Sequence, residues 1–298
     1  MQLNYCFKKE WSQFIRTFKL TVMIIVFLAV SVSLPALFGF TNMILNQMED
    51  MPIVNQVASV SFDGSGSAQT PNDILSGIGM DEVLEMYSDA GTMFAITTSS
   101  ISSTGALVAM LLLMPAAGGE QKKRAMIVPM CSGLSYKNYL IPKFVIYPAS
   151  IFAVTFLSVC VTGFLCNGIF PNNHVSFQNI MLSALLAAVY VVFLTTVYLS
   201  LGLCTSRPGI MTASVYLGSS IVETLLVGFG LVKFHPFAIS SIINQIGMIP
   251  DFPIEEETLN IVVSIAIAVI ICVMMFFLAL GVLSAKKINN REEVKPEF

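Results

Sequence analysis

The chain has 298 residues, of which 55% are hydrophobic and only 11% charged, less than half the ~25% of charged residues usual in soluble domains. Its formal net charge is −3, with neither the basic surface that binds nucleic acid nor an acidic tail. The charge is confined to short islands. Residues 20–48, 90–119, 144–206 and 258–285 contain no Lys, Arg, Asp or Glu. Each gap meets or exceeds the roughly 20 apolar residues that cross about 30 Å of hydrocarbon. An all-α integral membrane protein is expected, a single transmembrane domain over residues 1–298 with no separate globular unit.

The chain opens with Phe7, Trp11, Phe14 and Phe18 at helical spacing, among Lys8, Lys9, Arg16 and Lys19. An aromatic stripe beside basic residues predicts an amphipathic helix over residues 1–19, lying in the membrane interface. The first span follows at residues 20–40. It is longer than the 7–15-residue core of a secretory signal and is read as retained. Residues 41–92 form a long acidic segment without Lys or Arg, linked by Gly64-Ser65-Gly66-Ser67. The scattered carboxylates have no nearby His and fit a solvated face better than a metal site.

Further spans are expected near residues 94–115, 144–169, 180–204, 209–232 and 259–283, six in all. The charge-free tract from Phe144 is about three bilayers long as one helix, so Pro171, Asn172 and Asn173 are expected to divide it. Between the last two spans, residues 233–258 contain an apolar stretch broken by Pro236, Gly247 and Pro250. It is too short to span and is read as a re-entrant or interfacial segment.

Orientation follows from the retention of Lys and Arg on the cytoplasmic side. With both termini inside, 14 of the 15 basic residues are cytosolic and only Lys233 is outside. The opposite orientation would externalise those 14. The six cysteines lie in apolar runs or cytosolic segments, as small apolar fillers rather than a disulfide framework.

No Walker A loop, HExxH, CxxC or Gly-x-Ser-x-Gly occurs. No catalytic site, metal or cofactor is expected, and any ATP hydrolysis belongs to another chain. His174 and His235 sit in turns beside Asn and Pro. Glu223 is the one ionisable residue inside an expected span. It lies 16 residues, or about 24 Å of helix, beyond Arg207, which places it in the outer part of the bilayer. Three roles stand open for it: lining a water-accessible path, bonding across a helix interface, or reaching the outer headgroups.

Residues 117–143 form a cytosolic connection longer than a minimal turn. Basic residues there surround the apolar patch Met126, Ile127, Val128 and Met130. Such a patch needs a cover, and a basic loop also sets topology and touches anionic lipid. Within this segment Glu120, Pro129, Ser135, Tyr139, Leu140 and Lys143 follow one another in a characteristic order. In that order, and in its architecture, the chain resembles the membrane-spanning permease subunit of an ABC-2 type ABC transporter. That family commonly places Gly-Thr between the Glu and the Pro, where this chain has Arg124-Ala125. The resemblance implies an ABC-2, type V exporter-like permease fold with six spans and an N-terminal interfacial helix, in a bacterial plasma membrane. It implies helical elements before the sixth span, a second permease copy or close homologue, and a separate cytosolic ATPase subunit driving export. Docking of that ATPase is expected at Glu120, Met126, Ile127, Pro129, Tyr139 and Lys143. The alternative expectation is an ATPase-independent secondary transporter or membrane scaffold that uses Glu223.

Overall fold

The computed structural model describes residues 2–49, 88–114, 135–205, 208–229, 233–249 and 252–292. Among these residues the structure is helical, apart from one isolated bridge between Asp89 and Asn172. The helices are α1 (Gln2–Arg16), α2 (Lys19–Glu49), α3 (Ala90–Met114), α4 (Tyr136–Ile169), α5 (Phe177–Cys204), α6 (Pro208–Gly228), α7 (Ala238–Met248) and α8 (Ile254–Glu292). Five stretches are long and apolar enough to cross a bilayer: Lys19–Ile44, Ala90–Leu112, Tyr136–Ile169, Phe177–Cys204 and Glu256–Ala285. The fifth expected span, near residues 209–232, falls on α6, where the described residues give the apolar stretch Ala213–Leu226.

The helices alternate in direction. A Cβ on Gly105 of α3 would meet Phe27 of α2, and one on Gly163 of α4 would meet Ile180 of α5. Phe144, early in α4, stacks edge-on against Phe276, late in α8. By contrast α2 and α4 run parallel, with Lys19 beside Tyr147 at one end and Gly39 against Ile169 at the other. This order gathers Lys8, Lys9, Arg16, Lys19, Lys137 and Lys143 at one end of the bundle. The last turns of α8, with Lys286 and Lys287, reach the same end. Asp89, Glu256 and Glu257 lie at the opposite end, with Lys233 bonded to Glu257 at 3.1 Å.

α5 is the hub. It packs on α3, α4, α6, α7 and α8, and 67% of its apolar stretch is buried, against 17% in α8 and 22% in α2. Lipid tails are as apolar as leucine, so close van der Waals contact rather than water exclusion holds such helices together. Small side chains on α5 permit that contact: Ser183, Ala184, Ala187 and Ala188 are fully buried.

The expected break in the long apolar tract is present. α4 ends at Ile169 and α5 begins at Phe177. The Asn167 amide closes the turn by bonding both backbone groups of Val175 at 2.8 Å. Ser176 then caps α5 by accepting from the Asn179 backbone N–H. The turn is tied to the start of α3, where Ala90 N donates to Asn172 O at 2.9 Å. Asp89 caps α3, accepting from the backbone N–H groups of Gly91 and Thr92 and from the Thr92 hydroxyl.

Residues 233–249 contain the expected short helical element. α7 has 11 residues, about half the length a span needs. It starts beside the middle of α5, where Phe237 and Phe193 are 6.0 Å apart, and ends against the first turns of α3. A Cβ on Gly247 would lie 2.7 Å from the Ala95 Cβ, and one on Gly91 would collide with the Gly247 carbonyl. Two glycines thus bring the α3 and α7 backbones into contact.

α1 is amphipathic, but its buried face is not the whole aromatic stripe. Cys6, Glu10 and Phe14 point inward, Phe7 is partly buried, and Trp11 and Phe18 are exposed. The reason is Lys143 of α4. Its ammonium lies 2.9 Å from the Glu10 carboxylate, with side chains only 1% and 6% exposed. Phe14, one turn along, meets Tyr147 edge-to-face at 5.2 Å. Burial also pushes the Cys6 thiol above its ordinary range, Lys9 opposing the shift and Glu10 adding to it. α1 stops at Phe18, which adopts a left-handed φ of 55°. A bulky residue there costs about 1–2 kcal/mol, so the α1–α2 corner is held by α1 packing on α4.

Breaking a buried pair strands the surviving charge and costs about 3–5 kcal/mol, whereas removing both charges is often neutral. Lys143→Met and Glu10→Leu are therefore each expected to lower the midpoint of thermal unfolding in detergent markedly. The double variant is expected to recover most of the loss. Equal losses for single and double variants would show that the pair carries no such coupling.

Candidate functional site

Three helical faces converge near the middle of the bundle. On α6, Tyr216, Ser219, Ser220 and Glu223 follow the i, i+3, i+4, i+7 pattern and share one face. On α3, Ser99, Ser102, Ser103 and Ala106 repeat the same spacing. On α5, Tyr190, Leu194 and Tyr198 stand one turn apart. Together with Ser240 of α7 these residues line a pocket of ≈ 230 Å³. A single water needs only about 10–15 Å³ by the same kind of measure, so the pocket has room for a ligand or several waters.

Among the described residues, Glu223 is the one carboxylate that lines the pocket. Its Oε2 accepts a hydrogen bond from the Tyr190 hydroxyl at 3.1 Å. One turn below, Tyr198 and Ser219 approach to 3.4 Å. Tyr190 lies midway along the 28 residues of α5, and Ser102 midway along the 25 of α3. These neighbours set Glu223 at mid-depth of the bundle, deeper than the outer position expected from counting residues after Arg207. The count treated α6 as a span reaching the far end. α6 instead stops five residues past Glu223, and α7 packs against α3 beyond it.

Energetics distinguish a simple interhelical bond from a working site. An ionised carboxylate at the centre of a spanning helix costs about 2.5–3.5 kcal/mol on insertion scales. A hydrogen bond between spanning helices returns about 0.6 kcal/mol on average, and at most about 1.7. The Tyr190 bond alone does not offset the charge. Water or a ligand in the pocket has to supply the difference.

The residues expected to dock a partner divide into two groups. Glu120, Met126, Ile127 and Pro129 lie outside the described residues. Tyr139 and Lys143 are described and sit at the start of α4, 6% and 1% exposed. Lys143 holds Glu10 and lies 5.0 Å from the centre of the Tyr139 ring. Lys143 therefore fastens α4 to α1, with the Tyr139 ring beside its ammonium. Sequence reasoning did not single out Glu10, the three pocket tyrosines or the α3 serines. Two signals were available: the hydroxyl-rich run from Thr97 to Thr104, and the shared helical face of Tyr216, Ser219, Ser220 and Glu223. His235 has a local task, since its Nδ1 accepts the Ala238 N–H at 3.0 Å at the start of α7.

Among the described residues no group of three or more His, Cys, Asp or Glu is placed to hold a metal ion. Comparison of the chain with protein-family models, with curated proteins and with solved structures finds no match.

Tyr190→Phe removes only the hydroxyl that meets Glu223. Its expected cost is about 0.6 kcal/mol, and no more than about 1.7, if the bond acts as a single interhelical tie. Equilibrium unfolding in mixed micelles measures this cost. A loss several times larger would mean that Tyr190 organises the whole pocket.

Proposed function

We propose that the chain is the membrane-spanning subunit of an ABC-2 type transporter, working as an exporter with a separate cytosolic ATPase and a second permease copy. The observation that carries this reading is the ordered set Glu120, Pro129, Ser135, Tyr139, Leu140 and Lys143 between two apolar helices, in a chain with no nucleotide-binding loop. Three features of the bundle support it. The polar pocket around Glu223 offers a place for a solute among apolar helices. α6 runs antiparallel to α5, the direction that a further crossing would need. The basic end is the cytosolic one by the retention of Lys and Arg, which puts residues 115–134 on the ATPase side.

On this reading the segment before α4 receives the partner, and α4 passes its displacement to α1 through the Glu10–Lys143 pair. The chain performs no bond chemistry. It binds a solute, shields it from lipid, and exposes it to alternate sides as the ATPases close and separate. The lone carboxylate in the pocket also favours a second reading, a transporter coupled to proton movement through Glu223.

Purification of the chain with its native neighbours separates the two. A co-purifying ATPase is expected, and Met126→Asp combined with Ile127→Asp is expected to release it without impairing insertion. A complex that survives both changes places docking elsewhere. Uptake driven by a proton gradient, with no ATPase recovered, favours the second reading.

Topology is tested on a cysteine-free background in intact cells. An impermeant thiol reagent is expected to label Ser65→Cys and to leave Ser132→Cys untouched, position 132 being chosen to spare the α4 cap at Ser135. Strong external labelling at position 132 would invert the orientation.

A further inference from the structure

Several hydroxyls around Glu223 have their hydrogens committed within the protein. A serine within a helix spends its hydrogen on the carbonyl three or four residues back. Ser102 donates to Thr98 O at 3.0 Å, and Ser219 and Ser220 donate to Tyr216 O at 2.8 and 3.2 Å. Tyr190 gives its hydrogen to Glu223. With the Ser219 hydrogen committed, the contact between Tyr198 and Ser219 takes the tyrosine hydrogen. These hydroxyls direct their hydrogens into the protein and keep lone pairs for a guest. The second carboxylate oxygen, Glu223 Oε1, accepts from no described residue. Among the described residues, no Lys, Arg or His lines the pocket.

A guest in this space meets acceptors and a negative charge. The hydroxyls of Ser99, Tyr216 and Ser240 bond to no described residue and stay open to a guest, so it is the Glu223 charge, with no described cation beside it, that opposes an anion. A bonded serine turned outward to donate would give up its intrahelical bond, whereas accepting from a guest leaves that bond intact. The three tyrosines add aromatic rings, whose faces attract cations. The volume is too large to grip a bare alkali ion. We propose that the pocket binds the protonated amine of a small organic cation. Glu223 Oε1 takes the charge, and the hydroxyl oxygens of Ser102 and Ser220 accept its N–H bonds. The assignment deepens the transport reading of the same pocket by giving its solute a chemical class.

The test is calorimetric titration of the full chain in detergent, without any ATPase, using benzylammonium, tetramethylammonium, benzoate and sodium chloride. Benzylammonium is expected to bind, and tetramethylammonium, a cation without N–H groups, to bind roughly tenfold more weakly or less. Benzoate is expected not to bind, and sodium not to compete. Glu223→Gln should weaken benzylammonium by roughly tenfold or more and Glu223→Asp should restore most of it. Ser102→Ala, a change mild enough to leave α3 folded, should weaken it severalfold. The assignment is overturned if benzylammonium fails to bind, if benzoate or tetramethylammonium binds as tightly, if sodium displaces the amine, or if Glu223→Gln and Ser102→Ala bind it unchanged. Because the titration contains no ATPase, such a result would leave the co-purification to decide the transporter reading independently.

Discussion

In hydrocarbon there is no water to satisfy the backbone or a charge, so these groups need partners within the protein. This constraint fixes the bundle at three depths. At the basic end, Glu10 and Lys143 neutralise each other beneath α1. At the opposite end, Asp89, Ser88 and Asn172 satisfy the start of α3 and the turn after α4 in one network. Midway, Glu223 and Tyr190 bind α6 to α5. Around these ties the contacts are apolar and weakly directional, and small residues decide how close the helices come. The polar ties supply register, and the glycines and alanines supply proximity.

The pocket is a product of the same logic. α6 carries polar residues on the face it turns to α3 and α5, and apolar ones such as Leu217, Ile221 and Leu225 on its exposed face. Such a helix is amphipathic in the inverted sense, polar inward and apolar outward, as suits a wall between a hydrated cavity and lipid. α7 completes the enclosure because it is short. Its backbone sits directly on α3 through Gly91 and Gly247, so Ser240 reaches the pocket without a second full-length helix having to fit there.

Much of the fold was legible in the charge gaps. They place α2, α3, α4, α5 and α8 to within a few residues at most ends, and Pro171, Asn172 and Asn173 mark the break between α4 and α5. The α4 and α8 ends extend further than the gaps, because a spanning helix continues past the hydrocarbon into charged residues at its rims. Glu223 was legible as a lone carboxylate, but its depth was not. Depth depends on where α6 stops and which residue of α5 it meets, and both are tertiary facts. Glu10 was hidden for a different reason. A single acidic residue among lysines on an amphipathic helix reads as part of a solvated face, and only a partner far along the chain turns it inward. The α6 face could have been read directly, had its polar residues been taken as a pattern rather than as interruptions in an apolar run.

The separation of Glu10 and Lys143 in the sequence has a consequence for biosynthesis. The chain emerges from its N-terminus, so α1 and α2 are made long before Lys143. During that interval Glu10 has no counter-charge, and burying it alone is strongly unfavourable. α1 must therefore wait at the membrane surface, with Trp11 and Phe18 in the interface and Glu10 in water. Docking onto the bundle follows only when α4 has entered the bilayer and brought Lys143 to the same rim. α1 is thus synthesised before α4 and reaches its final position only after it, and its closure marks a bundle in which α2, α3 and α4 are already in place.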